Sequence, residues 1–486
     1  MGRTKRKPKV LFVTSEIYPL IKTGGLADVS SALPSALKEL DVDIRVMVPG
    51  YPAVLRAIKP TSAFKFEKLG IAAKLISARY VEFNFPLYVV DADIYAREGN
   101  PYQDESKTDF ADNALRFGLL CHAAAMMATG IPKVWQPDVV HCNDWQTGLV
   151  PALLRYADAK TVATVMTIHN LAFQGVFPAA VTFRLGLPKE SFTMEGVEYY
   201  GQLSFLKAGL YFADRITTVS PGYAEEIQSV EFGCGLYGLL QARRNKLQGI
   251  LNGIDSKVWD PEKDLHIAER YDVHSLDKKI KNKQALQQRF NLQNNGMLFG
   301  VVSRLTAQKG LDLVLAVAPA LIAKGAQLVV LGSGDASLQQ AFVALAKNHP
   351  GSVGIEHTYD EALAHRIEAG ADSFLMPSRF EPCGLNQMYS MRYGTPPIAR
   401  ATGGLKDTVI DATEQTIRDG SATGFVFNNS TSTELWLALE RAFFIYAQPQ
   451  LWRQLQINGM RRDFSWQHSA LRYLDLYKEL ISLKQV

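Results

Sequence analysis

The sequence predicts an α/β protein of two successive domains, each with a largely parallel, doubly wound sheet. At 486 residues the chain is too long for one hydrophobic core. Short apolar runs alternate with stretches of helical period through both halves, which is typical of βαβ units. A polar stretch over residues 252–283 separates the two series of runs. We therefore expect a domain boundary near residues 254–259.

The individual elements follow from these runs. In the first half, strands are predicted at residues 9–15, 43–49, 85–91, 139–142, 163–168 and 215–219, and helices at 26–40, 115–128 and 147–156. The runs near residues 65–90 lie closer together, which indicates that strands in this part of the sheet pair antiparallel. In the second half, strands are predicted at residues 298–302, 327–331, 353–356, 373–377, 397–399 and 424–427, with a helix at 311–323.

The last segment, residues 464–483, has the pattern of an amphipathic helix with Tyr473, Leu476 and Leu480 on one face. Such a helix must bury its apolar side against another element. Ligands of open α/β sheets bind outside the carboxyl ends of the strands. Motifs that follow predicted strands are therefore the candidates for function.

Composition and charge exclude several classes of function. The formal net charge is +4, and a basic cluster within residues 3–9 accounts for it, which argues against a nucleic-acid partner. No stretch approaches the roughly 18 apolar residues of a membrane helix, and no signal-peptide pattern is present. Four scattered cysteines lack metal-site spacing. We therefore expect a cytoplasmic protein with neither membrane nor nucleic-acid partners.

The first motif, Lys-Thr-Gly-Gly-Leu-Ala-Asp-Val, covers residues 22–29 between the first predicted strand and its helix. Gly24 and Gly25 allow close approach of a ligand to the backbone, and a helix N-terminus attracts anions. Lys22 adds a full positive charge. The motif thus predicts an anion site, with an ordinary βα loop as the alternative.

Two further motifs follow strands of the first half. Asp144 precedes a helical pattern, so it is either a helix cap or a carboxylate that faces a ligand. His169 and Asn170 end the strand at residues 163–168. A lone histidine is usually structural, but this one stands at the edge of the sheet where ligands are expected.

In the second half, Arg304 and Lys309 follow the first strand and precede a helical stretch. Arginine offers a planar fork for phosphate oxygens and lysine a compact charge, so the pair suits a diphosphate. An unrelated exposed charge pair is the alternative. Glu381 follows the strand at 373–377, and residues 383–387 are predicted to begin a helix. Its backbone N–H groups at Gly384 and Leu385 would then face a ligand.

Together these motifs resemble the glycogen synthases of bacteria and the starch synthases of plants, and the resemblance extends over residues 9–480. It implies a B-type glycosyltransferase fold, with two Rossmann-like domains facing each other across a cleft and a C-terminal helix crossing back. The implied ranges are 1–254 for the acceptor-side domain, 255–463 for the nucleotide-sugar donor side and 464–486 for the helix. Tyr389 stands where many retaining transferases carry a second glutamate, but it agrees with this family.

The resemblance implies transfer of glucose from ADP-glucose to the non-reducing end of an α-1,4-glucan such as glycogen, with retention of configuration. The resemblance implies that Lys22, Arg304 and Lys309 neutralise the departing diphosphate. Glu381 and Asp144 would hold the glucose. The carbonyl of His169 would stabilise the developing oxocarbenium charge.

The resemblance also implies further donor-binding residues, namely Gly24, Gly25, Asp28, Tyr102, Asn170, Tyr359, Cys383, Gly384 and Leu385. Tyr359 would stack on the adenine base, although a core tyrosine is the alternative. No metal and no cofactor besides the donor is expected, and the oligomeric state is left open. A UDP-glucose-dependent glucosyltransferase and a catalytically inactive glucan-binding protein are the alternative functions.

Overall fold

The computed structural model describes residues 6–293, 296–358 and 360–484. The chain forms two compact units. The first runs to Asn252 and resumes at Trp466, and the second covers Gly253–Ser465. Within the described part of the chain, no helix is long and apolar enough to span a membrane.

The strands of the first unit are β1 (Lys9–Val13), β2 (Asp43–Pro49), β3 (Lys59–Lys68), β4 (Ile71–Arg79), β5 (Leu87–Asp91), β6 (Val139–Asn143), β7 (Ala163–Ile168), β8 (Val176–Pro178), β9 (Glu198–Tyr199), β10 (Gln202–Ser204), β11 (Arg215–Thr218) and β12 (Leu247–Gly249). Nine of them form one sheet of order β12-β11-β7-β6-β1-β2-β5-β4-β3. The strands β8, β10 and β9 form a separate three-stranded sheet.

Pairing in the large sheet is parallel from β12 to β5 and antiparallel among β5, β4 and β3. The antiparallel pairing predicted near residues 65–90 is therefore confirmed. Val10, Leu11, Phe12 and Val13 of β1 are fully buried, as expected of a central parallel strand covered on both faces.

Helices of the first unit connect these strands. They are α1 (Gly25–Glu39), α2 (Pro52–Ala57), α3 (Asn113–Ala128), α4 (Leu149–Tyr156), α5 (Val181–Arg184), α6 (Phe205–Phe212), α7 (Pro221–Glu226) and α8 (Tyr237–Ala242). The helix predicted to begin at residue 147 instead begins at Leu149, because residues 145–147 form a 3₁₀ turn.

The strands of the second unit are β13 (Leu298–Val302), β14 (Gln327–Leu331), β15 (Val353–Glu356), β16 (Ser373–Met376), β17 (Pro397–Arg400) and β18 (Phe425–Phe427). They form a six-stranded, wholly parallel sheet of order β15-β14-β13-β16-β17-β18. The helices of this unit are α9 (Lys279–Arg289), α10 (Leu311–Ala323), α11 (Ala336–Asn348), α12 (Glu361–Gly370), α13 (Asn386–Arg392), α14 (Gly403–Thr408), α15 (Glu414–Arg418), α16 (Ser432–Tyr446) and α17 (Pro449–Arg461).

The last helix, α18 (Trp466–Lys484), belongs to the first unit. Its face with Tyr473, Leu476 and Leu480 is buried, as the helical pattern predicts. The Tyr477 hydroxyl lies 2.7 Å from Nδ1 of His141 on β6. This helix thus covers the first sheet even though the whole second unit precedes it in the chain.

Candidate active site

The loop between β1 and α1 has the features of an anion site. Helix α1 begins at Gly25, and the N–H groups of Gly24, Gly25 and Leu26 donate no hydrogen bond to any described residue. Nζ of Lys22 lies 2.9 Å from Oδ1 of Asp28 in the first turn of the helix. The loop therefore combines unused backbone donors with a cation whose position an acidic neighbour fixes.

A buried carboxylate that the sequence prediction missed supports this loop. Glu16 is 2% exposed and accepts hydrogen bonds from the backbone N–H and the hydroxyl of Thr23. The hydroxyl of Tyr102 donates to the same carboxylate and lies 2.8 Å from the Ser15 hydroxyl. Glu16 thus links the loop to Tyr102. The only signal in the sequence was an acidic residue directly after a buried strand.

Asp144 connects the ends of β6 and β7. Its Oδ1 accepts the backbone N–H of His169 at 2.7 Å and that of Asn170 at 3.4 Å. Its side chain caps no helix, and its φ of 55° lies in the left-handed region, which is unusual for aspartate. The interpretation of Asp144 as a helix cap is therefore wrong. The carboxylate instead holds the turn that contains His169.

Burial shifts the pKa values of both residues. Desolvation raises the pKa of Asp144 to about 7, against the two N–H donors that favour its charged form. Desolvation lowers the pKa of His169 to about 3, so its imidazole is neutral at physiological pH. Nε2 of His169 lies 3.0 Å from Oδ1 of Asn143, an acceptor that assigns the ring proton to Nε2. The His169 carbonyl accepts no hydrogen bond from the described residues.

Asn170 follows His169 in a tight turn. Its Oδ1 accepts the backbone N–H of Ala172 at 3.1 Å, and its carbonyl accepts that of Phe173. The structure thus brings Asp144, His169 and Asn170 together.

In the second unit, the structure brings Lys309 and Glu381 together. Nζ of Lys309 lies 2.5 Å from Oε2 of Glu381, and the side chains are only 18% and 8% exposed. Lys309 follows β13 and Glu381 follows β16, and these two strands are neighbours in the sheet. Adjacent parallel strands place their carboxyl ends side by side, which explains how residues so far apart in sequence meet.

The residue that directly precedes helix α10 is a glycine that the Glu381 segment requires. Gly310 has a φ of 64°, and a Cβ there would lie 2.1 Å from the carbonyl oxygen of Pro377. A side chain at this position would therefore displace the loop that leads to Glu381. The Glu381 carbonyl also accepts the backbone N–H of Gly404 at 3.1 Å, so the segment is held from both sides.

Arg304 is exposed, and its guanidinium makes no hydrogen bond or ion pair with residues in the described ranges. It differs in this respect from Arg379 of the same unit, which forms a bidentate pair with Asp312 at 2.8 and 2.6 Å. A guanidinium that stands five residues before Lys309 in the sequence and has no partner among the described residues is a candidate for contact with an anionic ligand.

The segment after Glu381 differs from its predicted structure. Helix α13 begins at Asn386 rather than at residue 383, because Gly384 has a left-handed φ of 68° that no α-helix accommodates. The Nε2 atom of Gln387 holds this turn by donating to the carbonyls of Cys383 and Gly384 at 3.1 and 2.9 Å. Cys383 is buried, and the N–H groups of Gly384 and Leu385 donate to no described residue.

Tyr359, which was predicted to stack on the adenine base, lies outside the described residues. Among the residues that the structure does describe, no group of three or more histidine, cysteine, aspartate or glutamate side chains is arranged to hold a metal ion.

Two family models match the chain, one for each unit. The starch synthase catalytic domain matches residues 9–242, and glycosyl transferases group 1 matches residues 282–444. The catalytic domain of starch synthase IV from Arabidopsis thaliana, solved with ADP and acarbose, superimposes with a TM-score of 0.88 at 30% identity. It covers 98% of this chain and 100% of its own. The family models and the fold define a glycosyltransferase of the B type.

Closely related sequences specify the family. The glycogen synthase of Nitrosomonas europaea is 52% identical over 98% of this chain and 99% of its own length. The glycogen synthase of Rhodopseudomonas palustris strain HaA2 is also 52% identical, over 97% of this chain and 98% of its own length. The chain belongs to the glycogen synthase family, and its activity is that of a glucosyltransferase of glycogen synthesis. A sucrose-phosphate synthase from Thermosynechococcus elongatus, at 18% identity and a TM-score of 0.61, shares the fold alone.

Proposed function

We propose that this protein transfers glucose from ADP-glucose to the non-reducing end of an α-1,4-glucan, with retention of the anomeric configuration. The observation that carries the proposal is the Lys309–Glu381 pair at the ends of β13 and β16. In this proposal the ammonium group serves the leaving group, and the adjacent carboxylate accepts hydrogen bonds from the sugar. The starch synthase that shares this fold was solved with ADP and acarbose, which supports the choice of donor and acceptor.

Lys309, Arg304 and Lys22 have the role of neutralising the departing diphosphate. Charge on the leaving phosphate grows in the transition state, and fixed cations in a site of low dielectric stabilise it with little reorganisation. Lys309 is held by Glu381 and Lys22 by Asp28, so both are oriented before the donor binds. The guanidinium of Arg304 has no partner among the described residues and is assigned to the phosphate oxygens.

Asp144 and Glu381 have the role of holding the glucose, and the carbonyl of His169 that of stabilising positive charge at the anomeric carbon. Two features support the assignment of His169. Its carbonyl accepts no hydrogen bond within the described residues, and the N–H of the same peptide, that of Asn170, donates to Oδ1 of Asp144. A neutral imidazole also places no positive charge beside the forming oxocarbenium ion.

Further residues are assigned to donor binding in this proposal. Asn170 lies beside His169, Tyr102 bonds to Glu16, and the backbone N–H groups of Gly24, Gly25, Gly384 and Leu385 are unused by the described residues. Asp28 and Cys383 act by shaping the two loops, and Tyr359 is assigned to the adenine base. No metal or further cofactor is part of the proposal. We place the reaction in the cytoplasm.

The test compares donors on one preparation of the enzyme. Incorporation of radiolabelled glucose into glycogen is measured with ADP-glucose and with UDP-glucose over a range of concentrations. We expect kcat/KM to be much higher for ADP-glucose. A higher value for UDP-glucose would favour the alternative transferase, and binding to glycogen without turnover of either donor would favour a glucan-binding protein.

A further inference from the structure

The two oxygens of the Glu381 carboxylate have different surroundings. Oε2 accepts hydrogen bonds from Nζ of Lys309 and from Oγ of Ser378 at 2.9 Å. Oε1 accepts none from the described residues, and the residue as a whole is 6% exposed. One oxygen is thus fixed by the protein, and the other is available to a ligand.

Ser378 itself is in no position to contact a ligand. It is 2% exposed, and it lies three residues before Glu381 in the same turn. The chain beside it is fixed: the backbone N–H of Arg379 donates to the Gln308 carbonyl at 2.8 Å, and the Arg400 guanidinium donates to the Arg379 carbonyl. The Ser378 hydroxyl therefore approaches Glu381 from a defined direction.

Lysine alone would not set the orientation of this carboxylate. An ammonium group is a compact charge with three rotatable donors, and it attracts either carboxylate oxygen equally well. A hydroxyl held by a rigid backbone adds a second, directional donor. The two donors together select the rotation in which Oε2 faces inward and Oε1 faces outward.

Building on the proposed function, we infer that Ser378 is a positioning residue for glucose transfer. It orients the Glu381 carboxylate so that Oε1 is presented to the hydroxyl groups of the transferred sugar. Loss of this orientation lowers kcat, because a misdirected hydrogen bond to the sugar stabilises the transition state less. Ser378 does not contribute to binding of the donor's diphosphate.

The test compares Ser378→Ala with Ser378→Thr, which keeps the hydroxyl. Ser373→Ala is the matched control, since Ser373 is also buried and makes one hydrogen bond, at 2.7 Å to the Pro396 carbonyl, away from Glu381. We expect Ser378→Ala to lower kcat by about tenfold or more, the usual effect of losing a hydrogen bond to a charged group. Ser378→Thr and Ser373→Ala should stay within about threefold of wild type.

A second comparison separates positioning from general damage. In a Glu381→Ala background there is no carboxylate to orient, so Ser378→Ala should change kcat by less than about twofold. An equal loss in both backgrounds, an unchanged kcat in Ser378→Ala alone, or an equal loss in Ser378→Thr would overturn the inference.

Crystal structures of wild type and Ser378→Ala give a readout that does not depend on the substrate. We expect the Glu381 carboxylate to rotate or to occupy two orientations in the variant, and an unmoved carboxylate would overturn the inference. If the wild type transferred no glucose from ADP-glucose, the proposed function would fail, while the structures would still decide whether Ser378 orients Glu381.

Discussion

Oδ1 of Asp144 accepts the backbone N–H of His169 at 2.7 Å, and this bond joins the ends of β6 and β7. The carboxylate is buried at 8% exposure, so its charge is costly even with two N–H donors. The pKa of Asp144 is consequently raised from 3.8 to about 7. The residue that orders the His169 turn therefore destabilises the folded state when it ionises.

This relationship predicts a pH-dependent effect of Asp144→Asn. Between about pH 4 and 7 folded Asp144 holds a proton that the unfolded chain has lost, so the free energy of unfolding falls as pH rises. The amide still accepts the His169 N–H but does not titrate. We expect the Tm of the variant, relative to wild type, to increase from about pH 5 to about pH 8.

Thermal unfolding of both proteins across this range provides the measurement. The pKa values of His141 and His169 are also lowered by burial, and they give a slope of opposite sign at low pH. Both histidines are present in the two proteins, so the difference in Tm isolates Asp144. A difference that stays constant with pH would contradict the prediction.

Substitution of Lys309 should act on turnover. Lys309→Ala removes a cation that is oriented toward a growing charge, and loss of one such contact lowers kcat by about 10²–10³. Lys347→Ala is the control, because Lys347 is exposed on α11 of the same unit. Steady-state kinetics with ADP-glucose and glycogen give the comparison. Near-normal turnover of a folded Lys309→Ala variant would remove Lys309 from the active site.

Two glycine substitutions test whether the Glu381 loop needs space at Gly310. Gly310 and Gly325 both have left-handed φ values, 64° and 77°, so alanine at either position carries a similar backbone penalty of about 1–2 kcal/mol. Only at Gly310 would the Cβ clash, 2.1 Å from the Pro377 carbonyl oxygen, whereas nothing lies within 4 Å at Gly325.

We therefore expect Gly310→Ala to lower both Tm and kcat, and Gly325→Ala to lower Tm modestly while leaving kcat unchanged. Calorimetry and initial rates on the same preparations measure the two quantities. Equal kcat values for the two variants would show that the position of the Glu381 loop does not depend on Gly310.

The proposed use of protein cations predicts that transfer needs no divalent metal. Lys22, Arg304 and Lys309 supply the charge that magnesium supplies in many other reactions of phosphates. Glucose transfer should continue after exhaustive chelation followed by gel filtration into metal-free buffer. Loss of activity that returns with added magnesium would require a different assignment of charge.

The sequence predicts most of the fold because its strands are short, continuous apolar runs. The strands at 43–49, 163–168, 298–302 and 327–331 have the predicted limits, since buried parallel strands are apolar on both faces. The exposed strand β3 has no such apolar run, so the sequence indicated only that some strands in this region pair antiparallel. The partner of β3 is the neighbouring strand β4, and a local sequence pattern does not reveal that pairing.

The candidate site was predictable in its residue types but not in its contacts. Lys309 and Glu381 were assigned to separate tasks, and their ion pair depends on the neighbouring strands β13 and β16. The left-handed φ of Asp144 and the three donors to Glu16 are likewise set by tertiary structure. A local pattern places a residue at the end of a strand, whereas its partner is determined by the order of strands in the sheet.

Retaining transfer of glucose can be followed by NMR spectroscopy of the reaction of ¹³C-labelled ADP-glucose with a maltooligosaccharide. We expect the labelled anomeric signal to become that of an internal or terminal α-1,4 linkage, with one ADP released for each glucose transferred. A labelled β-linkage, or labelled free glucose in place of a longer chain, would contradict this expectation.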